Sequence, residues 1–201
     1  MARHYEDSET RRRQVAQAAL QTIAEEGVAQ FTTRAVAKRV GISEGTLFRH
    51  FGNKQEVALE AMALLEIEID EGLVETGVPM ADLEAFFRHR TALVGADGSV
   101  GRLIFSDTLV HLAGEEGRVT LDRWRNKSVG YLSVRLKALH QANALNPALD
   151  VVGANTLFQG VLLTFAMQAA LGRGGSKKEL QKRIDWGWTT LVAAIFQADP
   201  A

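Results

Sequence analysis

The chain has 201 residues, 46% hydrophobic and 23% charged, with no cysteine; that allows one or two domains with a sizeable core and excludes disulfides and thiolate-bound metals. The start, MARHYEDSETRRR, has no apolar core, and the longest near-continuous apolar run, residues 161–171, is too short to span a bilayer, so a soluble cytoplasmic chain with no membrane partner is expected. The net charge of −1 is unevenly placed: residues 1–54 carry nine basic against six acidic side chains and the remainder 14 against 18, a basic head on an acidic body that turns toward phosphate.

Only three prolines occur and β-branched alternation is nearly absent, so the pattern is all-α, helices punctuated by glycine. The first helix spans 9–26, capped by Ser8, with Val15, Ala19, Leu20 and Ile23 inward and Gly27 as its stop. In the second, Thr32 or Thr33 serves as cap and Val36, Ala37 and Val40 repeat at helical spacing. Gly41 falls where the chain must reverse, a place for a residue without a Cβ. Ser43 then caps a third, short helix that turns Leu47 and Phe51 inward. That leaves Glu44, Gly45, Thr46, Phe48, Arg49 and His50 on its other sides, a composition and size suited to the DNA major groove. The reading is a helix-turn-helix, with Ser43, Glu44, Gly45, Thr46, Arg49 and His50 at the groove. Glu44 either accepts from a cytosine amino group or only favours the helix N-terminus through the dipole.

The fourth helix opens at Asn53 with Glu56 as capping-box partner and runs to about Gly72. A fifth covers 80–94, a sixth 100–113 up to Gly114, and a seventh 115–144. Asn146-Pro147 opens the eighth, with Asn as cap and Pro in the first turn. The ninth starts at a Ser176–Glu179 capping box and ends near Ala198. The eighth helix is apolar almost all round, and the ninth adds Ile184, Trp186, Trp188, Leu191, Val192, Ile195 and Phe196. A second copy of the chain is the economical cover for that excess; one large core is the alternative.

The residues Phe31-Thr32-Thr33, Ala37, Gly41-Ile42-Ser43, Gly45-Thr46-Leu47-Phe48, His50-Phe51 and Asn53-Lys54 together resemble the DNA-binding segment of the TetR family of bacterial transcriptional regulators. The match covers about the first quarter of the chain. The resemblance implies a nine-helix fold, with a helix-turn-helix domain at 1–54 and a helical effector-binding and dimerisation domain at 55–201. It implies a homodimeric repressor joined through its last two helices, bound to a double-stranded DNA operator and released by a small-molecule effector. It also places Thr33, Phe48 and Lys54 at the DNA backbone, Lys54 gripping a phosphate together with the start of the fourth helix. Phe48 stands where the family commonly has Tyr, so the hydroxyl donor to phosphate is lost or its part falls to Arg49. Arg11, Arg12 and Arg13 are either the solvated start of the first helix or phosphate contacts.

Enzyme chemistry finds no support: there is no phosphate loop, no nucleophile elbow and no zinc signature among the five histidines. No cofactor or metal is expected. Asp107 and His111, four apart, are the nearest approach to a metal pair and are more simply solvated partners. A ligand pocket between the fourth and seventh helices is the better use of this region. Its candidate residues are Phe86, Arg90, Phe105, Asp107, His111, Trp124 and Tyr131. An all-helical enzyme using Asp107 and His111, or an adaptor that keeps the motif only for packing, are the rival classes.

Overall fold

The computed structural model describes residues 2–95 and 107–197. All regular structure among them is helical: α1 (Ala2–Glu26), a 3-10 turn (Val28–Gln30), α2 (Thr33–Val40), α3 (Glu44–His50), α4 (Lys54–Asp70), α5 (Pro79–Gly95), α6 (Asp107–Gln141), α7 (Val151–Ala170) and α8 (Lys177–Ile195). Eight helices lie among the described residues; the sixth predicted helix, 100–113, falls in large part outside them, and its described end is continuous with the seventh. The boundary expected at Gly114 is nonetheless real: its backbone, φ 62 and ψ −153, leaves the helical region inside α6. Phe105 and the side chains of Asp107 and His111 lie outside the described residues.

The chain divides into two compact units, one formed by 1–68 with 102–122 and the other by 69–101 with 123–201. In the first, α1 packs on α2 and α3. Val15, Ala19, Ile23, Val36, Ala37, Leu47 and Phe51 are all buried there, with Val57, Ala61 and Met62 from α4. Local chemistry sets the ends of these helices. Thr32 accepts from the amide of Ala35, Ser43 from that of Thr46, and Gly41 takes φ 77 between them. A side chain at that angle would cost about 1–2 kcal/mol, which explains glycine at the reversal.

In the second unit α5, α7 and α8 pack on one another. Phe87 lies edge-on to Phe158 and Phe165, with ring centroids 5.9 and 6.0 Å away, and 5.7 Å from Trp188. Edge-to-face rings add about 0.5–1.5 kcal/mol each beyond the area they bury. The start of α7 differs from expectation. Asp150, not Asn146, is the cap, accepting from the amide of Gly153 at 2.7 Å. Asn146-Pro147 forms a turn instead, because the Asn146 amide donates to Ile195 and its side chain accepts from Ala148. A two-residue antiparallel bridge, Leu145 with Phe196, fastens that turn to the end of α8. The capping box at Ser176 and Glu179 forms as expected.

Candidate functional site

The first candidate surface is the exposed side of α3. Burial of Leu47 and Phe51 fixes the helix by one face, and Glu44, Gly45, Phe48 and Arg49 are left exposed on the others, Phe48 at 45%. A small polar chain runs along this side. Arg49 donates to the Thr46 hydroxyl at 3.0 Å, and that hydroxyl lies 2.9 Å from the Ser43 hydroxyl. Arg49 is thereby pre-positioned along the helix rather than free to wander, which lowers the side-chain entropy lost on binding. A Cβ at Gly45 would meet nothing nearer than the Ser43 hydroxyl, 3.9 Å away. Nothing among the described residues requires glycine there, and it costs the helix about 1 kcal/mol relative to alanine.

Thr33 is not the cap of α2, since Thr32 takes that role; its hydroxyl instead donates to the Glu44 carboxylate at 2.5 Å. His50 turns toward α1, its ring Nδ1 lying 3.4 Å from the Ser8 hydroxyl. Lys54 begins α4 with its Nζ 5.2 Å from the Phe31 ring. Ahead of it, Asn53 accepts from the amide of Glu56, and the Glu56 carboxylate accepts from the amide of Gly52. By helix register the amides of Lys54 and Gln55 have no intrahelical acceptor.

Of the three N-terminal arginines, Arg12 has a structural post. Its guanidinium donates to the carbonyl of His50 and to Glu60, and it stacks 4.4 Å over the Phe51 ring. It locks α1 to the end of α3 and to α4. Arg11 bonds Gln14 next to it in the helix, and Arg13 is exposed. Spacing along one helix could not announce a contact 48 residues away. Arg39 holds the end of α1 in the same way, donating to Glu25 and Glu26 at 2.7 and 2.9 Å. Its hydrogen bond draws the Glu25 pKa below the usual carboxylate value.

The second candidate site lies in the other unit. Phe86 is buried and stacks on Tyr131, centroids 5.2 Å apart, with the Arg90 guanidinium 5.0 Å from the Phe86 ring centroid. The Tyr131 hydroxyl donates to the Val74 carbonyl at 2.5 Å, so its polar end is already occupied. Arg90 donates to the Ser128 hydroxyl at 3.2 Å and has no carboxylate partner among the described residues. Burial pushes its pKa down to about 10, with the Asp70 carboxylate acting in the opposite sense. Three buried polar atoms here lack a hydrogen-bond partner among the described residues: Asp70 Oδ1, His89 Nδ1 and Trp124 Nε1. Burial, followed by the neighbouring charge of Arg90, lowers the His89 pKa and favours its neutral ring. Sequence pattern singles out Arg90 and Trp124 but not Asp70 or Ser128, which carry no motif and meet only through folding.

Known proteins agree with the first site in sequence and with the whole chain in shape. Residues 16–61 match the family model described as bacterial regulatory proteins, tetR family. The HTH-type transcriptional regulator BetI 1 of Chromohalobacter salexigens is 44% identical over 52 residues, and that match spans 26% of this chain and 26% of BetI 1. The ketosteroid transcriptional regulator KstR2 of Mycobacterium tuberculosis superposes with TM-score 0.73 at 19% identity, over 94% of this chain and 96% of its own. FadR of Bacillus subtilis, a transcriptional regulator solved with stearoyl-CoA, gives TM-score 0.66 at 21% identity, over 90% and 98%. At such identities the likeness is one of fold. Residues 16–61 thus resemble the N-terminal segment of the tetR family of bacterial regulatory proteins, and the chain as a whole shares the fold of such regulators.

Proposed function

We propose that the protein is a cytoplasmic, homodimeric DNA-binding repressor that a small-molecule effector releases from its operator. The observation that carries this reading is α3 itself. Among the described residues Leu47 is its one buried side chain, while Glu44, Gly45, Phe48 and Arg49 stand exposed and a Cβ at Gly45 would have room. In this reading residues 1–54 are the DNA-binding domain and residues 55–201 bind effector and partner. Ser43, Glu44, Gly45, Thr46 and Arg49 face base edges, and Thr33, Phe48 and Lys54 face the backbone. His50 reaches a base edge only by turning its ring away from Ser8.

The homodimer rests on α7 and α8. Leu163, Met167 and Leu171 recur every fourth residue of α7 and its C-cap and are 47, 51 and 61% exposed, and Trp186 of α8 is 72% exposed. A groove of about 220 Å³ lies between the two helices, bordered by Val161, Thr164, Gln168 and Trp186. Such a contiguous apolar face calls for cover, and two heads reading two half-sites give a second copy a purpose. Helix α7 is also long and apolar enough to cross a membrane by length and composition alone. Its packing on α5 and α8, with Asn155 buried and bonded to Ser133, favours a core and interface helix instead.

The stearoyl-CoA bound to FadR supports an effector that is itself an acyl compound. An effector in the second unit would act through α4, favouring a conformer that spaces the heads wrongly for the operator.

The test is binding to duplex from the protein's own upstream region, followed by fluorescence anisotropy over a salt series. Log affinity is expected to fall linearly with log salt as phosphate contacts release counterions. Lys54→Ala should weaken all duplexes alike, whereas Thr46→Ala or Arg49→Ala should change preference among operator variants by about 1–3 kcal/mol at a contacted base pair. Salt-independent binding, or base preference that shifts with Lys54 and not with Arg49, overturns this docking.

A further inference from the structure

The second unit holds a set of polar groups that lack partners among the described residues. Arg90 on α5 is part-buried, yet among the described residues its one hydrogen bond is to the Ser128 hydroxyl. Trp124 is one turn before Ser128 on α6 and only 5% exposed, and its indole N–H has no acceptor among the described residues. An indole nitrogen can only donate, so what it lacks is an acceptor. The nearby carboxylate, Asp70, does not bond Arg90; one oxygen takes the Lys127 ammonium at 2.5 Å and the other is unpaired. Buried charge without a partner and a buried donor without an acceptor both destabilise a fold, and native proteins rarely keep either without a use. Here two donors on neighbouring helices both lack an acceptor among the described residues, and one oxygen, anionic to suit the guanidinium, would serve both. Around them stand the rings of Phe86 and Tyr131, stacked on each other.

We infer that Arg90, Ser128 and Trp124 form an acid anchor, and that the effector is a carboxylate- or phosphate-bearing compound with an apolar remainder, its acid seated on the Arg90 guanidinium. This rests on the reading that the second unit takes a small-molecule effector and adds its chemical class. An entering anion supplies the missing ion pair to Arg90, in the charge-assisted geometry that guanidinium favours, and an acceptor to the Trp124 N–H. It also relieves the positive field that Arg90 places on His89, whose pKa is held low in the free protein.

Isothermal titration calorimetry on the full chain tests it with straight-chain carboxylates from four to eighteen carbons, their coenzyme A thioesters, the matching alcohols and inorganic phosphate. At one chain length the acid or the thioester is expected to bind, and the alcohol about 10- to 100-fold more weakly, the span that a charged hydrogen bond is worth. Free acid binding alone identifies a carboxylate effector; thioester binding alone places a phosphate on Arg90. Arg90→Gln should abolish the preference for the charged compound while leaving alcohol affinity unchanged, and Arg90→Lys should restore part of it. The melting temperature separates the anchor from a structural arginine: free Arg90→Gln protein should melt at or above the wild type, since an unpaired buried charge has been removed. If acid and alcohol bind equally, or Arg90→Gln keeps the acid, the anchor is wrong and the effector site stands. If no compound binds and Arg90→Gln melts lower, both fall and Arg90 is a packing residue.

Discussion

Asp82→Ala is expected to cost about 3 kcal/mol of folding free energy, the lower end for breaking a buried ion pair. The carboxylate is 3% exposed and sits at the start of α5, where it accepts from the amide and hydroxyl of Thr76 and from Arg135 Nε. Arg135 also reaches the Val74 carbonyl and stacks 3.7 Å over the Tyr131 ring. Removing the carboxylate releases the 71–78 loop and leaves Arg135 with Glu75 as its remaining charge partner. The pH dependence provides a second check. Burial pushes the Asp82 pKa up, but Thr76 and Arg135 outweigh it and hold it below its ordinary 3.8. The stabilisation is therefore complete above that value and is lost as pH falls through the depressed one. Urea unfolding at neutral pH and below pH 4 should show the wild type losing part of its advantage over Asp82→Ala in acid. Equal midpoints at neutral pH would mean that Thr76 and Arg135 are satisfied equally well by water.

Trp186→Glu or Met167→Glu should turn the protein into a monomer with unchanged helix content and unfolding midpoint. Operator affinity should then drop about 10²- to 10⁴-fold, the advantage of having two linked heads. Both side chains are mostly exposed in the single chain, at 72 and 51%, so their only expected burial is against a second copy. Phe165 is the instructive contrast. Its place in the apolar eighth predicted helix suggests an interface residue, but it is 8% exposed, edge-on to Phe87 and under the Arg183 guanidinium. Phe165→Glu should therefore lower the melting temperature, whatever it does to assembly. Light scattering with circular dichroism on the three variants distinguishes the two effects. A Trp186→Glu protein that remains dimeric places the partner elsewhere.

Phe165 also marks what the sequence could and could not specify. Caps are local, and Ser43, Ser176 with Glu179, and Asn53 with Glu56 are readable because donor and acceptor lie within four residues. The reversal at Gly41 is readable for the same reason. Asn146-Pro147 obeys the same rules and still is not a helix start, because a backbone bond to Ile195 claims Asn146 first. An all-round apolar helix says that cover is needed, not which face its own chain provides; that depended on Phe87 and Trp188 arriving from α5 and α8. Arg12, Asp82 and Arg90 act across 38 to 53 residues, and no periodicity reports such distances.

The break at Gly114 divides α6 in one further respect. With φ positive there, the hydrogen-bond ladder stops at Ala113, whose carbonyl is taken by the Gln55 side-chain amide at 3.1 Å. The amides just beyond it are in the position of any first turn, without carbonyls four residues back to receive them. The 35-residue element is thus thermodynamically two helices in series, each able to fray from Gly114 without unzipping the other. Protection of its amides against solvent deuterium follows from two separate local openings, with a minimum just past Gly114, near the start of what looks like one continuous rod.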